Sequence, residues 1–221
     1  MTAAALMHHS LPAELLASGL SQMALALDQS TQEKLLQYVA LLDKWNKVYN
    51  LTAVRDPQRM IGMHILDSLS ILSIVAKHKH LLDVGSGGGL PGIPLAIVLA
   101  TIAPEFHVTM LDTITKKTTF IRQAIGELGL TNAIVVTERV ENYRPESVFD
   151  AVVSRAFSEL KDFVDGAGHL CAPDGRLLAM KGVHPYDEIA RLSVGYTVEA
   201  VTPLQVPQVD GQRHLVVIKK N

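Results

Sequence analysis

Residues 81–92 read Leu-Leu-Asp-Val-Gly-Ser-Gly-Gly-Gly-Leu-Pro-Gly. An apolar run that ends near an acid, gives way to glycines and reopens as an apolar helix from about Gly92 predicts a strand, a tight loop and a helix in direct succession. Glycines let the backbone turn sharply and let a ligand approach where a β-carbon would stand. Two ligands compete for such a loop. Gly87, Gly89 and Gly92 satisfy GxGxxG, the phosphate-binding spacing of nucleotide cofactors, whereas Asp83, Gly85, Gly87 and Gly89 satisfy DxGxGxG, the spacing of S-adenosylmethionine enzymes. Asp112 closes the next apolar run, 23 residues beyond Gly89, and could accept hydrogen bonds from the ribose hydroxyls of either ligand or cap the helix that follows. Spacing therefore leaves both open. Asp83 is the better discriminator, because a carboxylate there repels a pyrophosphate but can orient the ammonium end of a methionine moiety. It favours S-adenosylmethionine.

Outward from the loop, short aliphatic runs at Leu81–Val84, Val108–Leu111, Ala133–Val136, Ala151–Val153 and Arg176–Met180 alternate with helical patterns. That alternation predicts an α/β fold with a mostly parallel sheet and helices on both faces. Tyr196–Val201 and Leu215–Lys219 follow with no helical pattern between them and suggest a closing hairpin of two further strands. Seven strands with the last antiparallel favour the Rossmann-like class I methyltransferase variant over the dinucleotide-binding one.

Residues 1–78 form a helical extension to a sheet domain at 79–221, since apolar positions there recur at three- and four-residue steps. Ser30-Thr31-Gln32-Glu33 is a capping-box pattern opening one helix, and Asp56-Pro57 is an N-cap and first-turn pair opening another. The 221 residues carry 20 Lys and Arg against 22 Asp and Glu, a net charge of −2, so any nucleic-acid site is a local patch. The single Cys171 excludes an internal disulfide framework and fits a reducing compartment. Neither a basic, apolar leader nor a membrane-length apolar run is present, and a soluble, cytoplasmic, monomeric protein is expected.

Several segments together resemble the 16S rRNA guanine-N7 methyltransferase family, long called glucose-inhibited division protein B. They are Trp45-Asn46 with Asn50-Leu51-Thr52, His64 to Leu69, Asp83 to Ala96, Lys116-Lys117 with Phe120, Arg139-Val140-Glu141, Ser154-Arg155-Ala156, Met180-Lys181-Gly182 and Arg213 to Val217. Leu90 stands where that family often has Phe, and Gln212 where Glu is usual. The resemblance implies an S-adenosylmethionine-dependent enzyme of the bacterial cytoplasm that methylates one guanine N7 in the decoding region of 16S rRNA, free or in the small subunit. It also implies that Gly85 to Leu90 hold the cofactor, that Val140 and Glu141 lie at the adenine, and that Arg155 sits at the cofactor and target-base face.

The residue types agree with that chemistry. A guanine N7 lone pair already lies in the ring plane, so attack needs proximity and alignment rather than a general base. The segment Val153-Ser154-Arg155-Ala156 lacks the Asp/Asn-Pro-Pro-aromatic run of amino-nitrogen methyltransferases, and one cysteine cannot run a two-cysteine C5 mechanism. Arg155 could bond guanine O6, a cofactor carboxylate or an RNA phosphate, or pair structurally with Glu159 or Asp150. Phe157 could stack on a base or pack in the core. Lys116, Lys117 and Arg122 on one helix, with Arg139 and Arg144 nearby, suggest an RNA face that Lys44, Lys47, Arg55 and Arg59 extend. His64 and Asp67, one helical turn apart, are read as a helix-to-sheet hydrogen bond and not as metal ligands. Trp45 and Tyr49 are assigned to core packing, and Lys181-Gly182 could line the pocket. Still open are a methyltransferase for another RNA or a small molecule, and a nucleotide-binding module without catalysis.

Overall fold

The computed structural model describes residues 11–221, so the leaderless start read at Met1 to His9 lies outside the described residues. Helices α1 (Leu11–Gln22) and α2 (Gln29–Tyr49) are followed by α3 (Pro57–Met60), which continues through a π-helical segment at Ile61–Leu66 into α4 (Asp67–Leu69); α5 (Leu72–Val75) then leads to the sheet. The order from there is β1 (His80–Val84), α6 (Gly92–Ile102), β2 (His107–Asp112), α7 (Thr115–Leu128), β3 (Ala133–Thr137), β4 (Phe149–Ser154), α8 (Leu160–Ala167), β5 (Cys171–Lys181), α9 (Tyr186–Ala190), β6 (Tyr196–Pro203) and β7 (His214–Lys220). The seven strands lie in the order β3-β2-β1-β4-β5-β7-β6. Only β7 runs against its neighbours. The expected seven-stranded architecture is therefore present, with one addition: the short α9 stands between β5 and β6, where no helical pattern was read.

The order reverses between β1 and β4, whose paired residues include Asp83 and Val153. Chain leaving neighbouring strands in opposite directions opens a crevice beyond their carboxyl ends, and the glycine loop sits there.

Helix α6 explains the N-terminal helices. Its sequence, Gly-Ile-Pro-Leu-Ala-Ile-Val-Leu-Ala-Thr-Ile, has no polar face, and every residue from Gly92 to Leu99 is buried. A helix apolar all round needs cover on both sides. The sheet supplies one cover and the N-terminal helices the other, so that a single apolar cluster runs from Leu16 and Leu20 through Leu35, Leu42 and Ile65 to Ile93, Ile97 and Leu215. A second cluster around Leu82, Phe163, Val164 and Leu177 lies beneath α8 on the opposite face. Trp45 joins the layers as expected, its ring 5.6 Å from that of Phe120 in α7, whereas Tyr49, expected in the core with it, touches the Trp45 ring from the surface and is exposed.

The capping expectations divide. Asp56 does cap α3, its carboxylate accepting from Gln58 N at 2.9 Å, and Pro57 follows in the first turn. At α2 the cap is Asp28 rather than Ser30: the Asp28 carboxylate accepts from Thr31 N at 2.7 Å, and the helix opens one residue ahead of the serine. The capping-box spacing starting at Ser30 is thus coincidental, because a carboxylate two residues earlier caps the same turn.

Tyr38, fully buried in α2, donates to Gly88 O at 2.6 Å and ties this helix to the glycine loop. Tyr38→Phe leaves that buried carbonyl without its partner and is expected to cost about 1–3 kcal/mol of stability. Urea unfolding of the two proteins measures it.

Candidate active site

The loop between β1 and α6 is held from inside. Asp83, with no exposed surface, accepts from Gly92 N through Oδ2 at 2.9 Å, while its Oδ1 is buried without a partner. Burial raises its pKa to about 7, against the opposing pull of the Gly92 N–H and of Arg155. Gly85, Gly87 and Gly89 all have positive φ, at 73°, 58° and 85°. At Gly85 a β-carbon would stand 2.6 Å from the Ala156 methyl, so glycine keeps a passage open there. Gly89 faces inward, where a β-carbon would meet Ile93 at 2.5 Å.

Two clefts meet at that passage. The larger, about 300 Å³, is lined by Gly85, Asp112, Ile114, Lys117, Arg139, Val140, Glu141 and Phe157 among others. The smaller, about 170 Å³, is lined by Thr52, Gly87, Leu90 and Arg155, and shares Gly85 and Ala156 with the first. Asp112 ends β2 at the larger cleft, accepting from Gly87 N and from Ile114 N at 2.9 Å each. It is therefore both a wall of the cleft and the residue that shapes the turn into α7. An apolar end at Ile114, Val140 and Phe157, an acid midway and a glycine passage fit an adenosine with an amino-acid tail.

The structure thus brings Gly85, Asp112, Val140 and Glu141 to one cleft and Gly87, Leu90 and Arg155 to its neighbour. Asp83 and Gly89 lie behind the loop. Lys117 and Arg139 line the larger cleft, and Lys117 lies 3.8 Å from Asp112, whereas Lys116 and Arg122 are exposed. Adjacent helical residues point in different directions, so Lys116 and Lys117 divide between solvent and cleft. Arg55 and Arg144 are occupied on backbone: Arg55 donates to Asn46 O at 3.0 Å, and Arg144 to Glu141 O at 2.8 Å.

Arg155 follows β4 and pairs neither with Glu159 nor with Asp150. Its Nη1 donates to Asp67 Oδ2 at 2.7 Å, and Arg213 Nε donates to Asp67 Oδ1 at 3.1 Å. The helix-to-sheet bond expected of Asp67 is present. His64 instead turns to its own side, with Nδ1 donating to Met63 O and Nε2 accepting from the Thr52 hydroxyl, both at 2.9 Å. Burial, aided by Arg155, lowers the His64 pKa from 6.5 to about 4. Thr52 N in turn donates to Asn46 Oδ1, and Asn46 Nδ2 to Val54 O. The Trp45-Asn46 and Asn50-Leu51-Thr52 segments are therefore one knot of hydrogen bonds. Lys181 lines the cleft beyond Arg155 as expected and pairs with Glu188 at 2.7 Å. Residues that sequence reasoning missed are Tyr38, Glu138, Ile114 and the Arg213 partnership with Asp67; apart from the Arg213-His214 segment, no local pattern marks them. Among the described residues no group of three His, Cys, Asp or Glu is placed to hold a metal, and no helix is long and apolar enough to cross a membrane.

A sheet of this order, with a reversed β7 and a glycine cleft at the β1/β4 switch point, is the Rossmann-like fold of class I methyltransferases. An S-adenosylmethionine-dependent methyltransferase from Aquifex aeolicus superposes with a TM-score of 0.58 at 18% identity, over 80% of this chain and 97% of that one. The particular family follows from sequence. Residues 31–216 match the model of rRNA small subunit methyltransferase G (GidB), and the chain belongs to that family. Proteins named ribosomal RNA small subunit methyltransferase G are 52% identical in Aromatoleum aromaticum, over 93% of this chain and 98% of theirs, and 54% identical in Chromobacterium violaceum, over 91% and 94%.

Two outcomes follow. Asp112→Asn keeps an acceptor for only one of the two backbone N–H groups it holds and loses the charge, and the S-adenosylmethionine Kd is expected to rise roughly tenfold to a hundredfold by calorimetry. The two buried titrating groups act with opposite sign. Asp83 binds its proton more tightly folded than unfolded, so its contribution is lost as pH rises from about 4 to about 7; His64 binds its proton less tightly folded, so its contribution is lost as pH falls from 6.5 towards 4. Denaturation at a series of pH values is expected to show wild type losing stability relative to Asp83→Asn on the alkaline side, and relative to His64→Gln on the acid side.

Proposed function

We propose that the protein methylates N7 of one guanine in the decoding region of 16S rRNA. The observation that carries this reading is that the groups around the meeting of the two clefts are donors or are already engaged. Of the side chains that line the smaller cleft there, Ser86 Oγ donates to Asp83 O at 2.9 Å, the Thr52 hydroxyl is bonded to His64 Nε2 at 2.9 Å, and Arg155 is a donor held by Asp67. None is poised to take a proton. That arrangement suits a nucleophile with no proton to lose, and a guanine N7 is one.

When bound, S-adenosylmethionine supplies the electrophilic methyl of a sulfonium. Asp112 accepts from the ribose, Val140 and Glu141 flank the adenine, and Gly85, Gly87 and Leu90 leave the backbone open to the methionine end. Arg155, fixed by Asp67, donates to guanine O6 and leaves N7 clear for in-line attack. Lys116, Lys117, Arg122 and Arg139 hold phosphates near the mouth of the larger cleft. Residues 79–221 carry most of this site, and the preceding segment braces it and adds Thr52 to its wall. With modest patches and a net charge of −2, the protein acts as a cytoplasmic monomer on a structured ribosomal substrate rather than through affinity for bare RNA.

The test is transfer of a labelled methyl group to 16S rRNA and to small subunits that lack the modification, followed by borohydride reduction and aniline cleavage at 7-methylguanosine. A single cleavage site in the decoding region is expected. Incorporation without cleavage would move the methyl to another atom and overturn the N7 assignment.

A further inference from the structure

The clefts continue past the transfer point. Arg155 joins the smaller cleft to one containing His64 and Lys181, and Leu204, Arg213 and His214 join that in turn to a cleft of about 580 Å³ beside α9. The clefts thus follow one another from the glycine loop to the start of β7. The last chamber has no part in holding the cofactor.

We propose that this chamber is a subsite for an unpaired nucleotide neighbouring the methylated one, with its base stacked on Tyr186; the proposal rests on the ribosomal RNA reading above. Tyr186 is 73% exposed, an unusual place for a large ring. The ring is nevertheless fixed. It stacks on His184 at 3.8 Å and 25°, and His184 meets His214 edge-on at 5.5 Å. His214 is anchored by Nδ1 donating to Gly182 O at 2.9 Å. His184 Nδ1, by contrast, is buried with no hydrogen-bond partner, so the rings on either side hold that side chain in place. Three rings in contact make a prebuilt platform, which a nucleobase covers with little ordering cost.

Charge agrees with the shape. No carboxylate lines the chamber, and Arg213 stands where it opens from the Arg155 cleft, held by Asp67 and by its own Nη1 donating to Gln212 O at 2.8 Å. A fixed guanidinium between two base-sized clefts suits the phosphate linking two splayed nucleotides. Double-stranded RNA cannot present bases this way, so the chamber selects a single-stranded or opened segment.

The experiment compares wild type, Tyr186→Ala and Tyr186→Phe in methyl transfer to unmodified small subunits, and in binding a short single-stranded RNA carrying 2-aminopurine. Tyr186→Ala is expected to raise the KM for the ribosomal substrate about tenfold while leaving the KM for S-adenosylmethionine unmoved, and Tyr186→Phe, which keeps the stacking face, is expected to restore it. An unchanged ribosomal KM in Tyr186→Ala overturns the subsite. Should wild type fail to methylate ribosomal RNA, the function reading falls and fluorescence decides the subsite: quenching lost in Tyr186→Ala retains it, and equal quenching removes it.

Discussion

A helix with no polar face fixes the plan of this molecule. Because α6 follows directly from the glycine loop, any element that buries its outer side also comes to lie over the loop. Helix α2 does so and delivers Tyr38 to Gly88; the segment after it delivers Thr52, His64 and Asp67 to the rim. The N-terminal helices are thus drawn in by the hydrophobic effect and, once there, form one wall of the site. At this same end of α6 the fit is equally close, since a β-carbon on Gly92 would meet Met110 at 2.6 Å and Asp83 at 2.8 Å. The helix starts close against the sheet, and its first N–H is spent on the acid beneath it.

Asp67 is the electrostatic counterpart of that constraint. Buried, and held between Arg155 beyond β4 and Arg213 ahead of β7, it joins the N-terminal layer to two strands of the β4-β5-β7-β6 half of the sheet. Removing such a carboxylate leaves two partly buried guanidinium groups without their common partner, which costs more than the attraction between exposed ions suggests. The arrangement also orders the site in sequence: β1 supplies the loop, β2 the acid at the cleft, β4 and β7 the two arginines, and each lies at a strand end on the same side of the sheet.

Much of this was legible beforehand because it rests on local chemistry. The glycine loop, the acid closing β2 and the alternating runs specify strand, turn and helix without knowledge of the rest, and the final pair of strands showed in their composition alone. What stayed hidden depends on distance in the chain. Nothing near Arg155 points to Asp67, 88 residues earlier, so Glu159 and Asp150 were the natural partners to name. The Ser30 capping pattern was local but incomplete, since Asp28 competes for the same turn. Lys116 and Lys117 read as one basic pair, although helical geometry sends them apart. Helix α9 has five residues, too few to show a period.

The π-helical turn at Ile61–Leu66 has a consequence for how this sequence can vary. Such a turn holds one residue more than an α-helix would over the same path. Were the segment to relax to α-helix with all its residues kept, everything that follows would swing by about 100°. Asp67 would then point away from both arginines although no side chain of the ion pair had been altered. The wide turn between Pro57 and Ser70 is accordingly a requirement of the ion pair in its own right, whereas the exposed stretch around Val194, bordered by turns, has room to gain or lose residues.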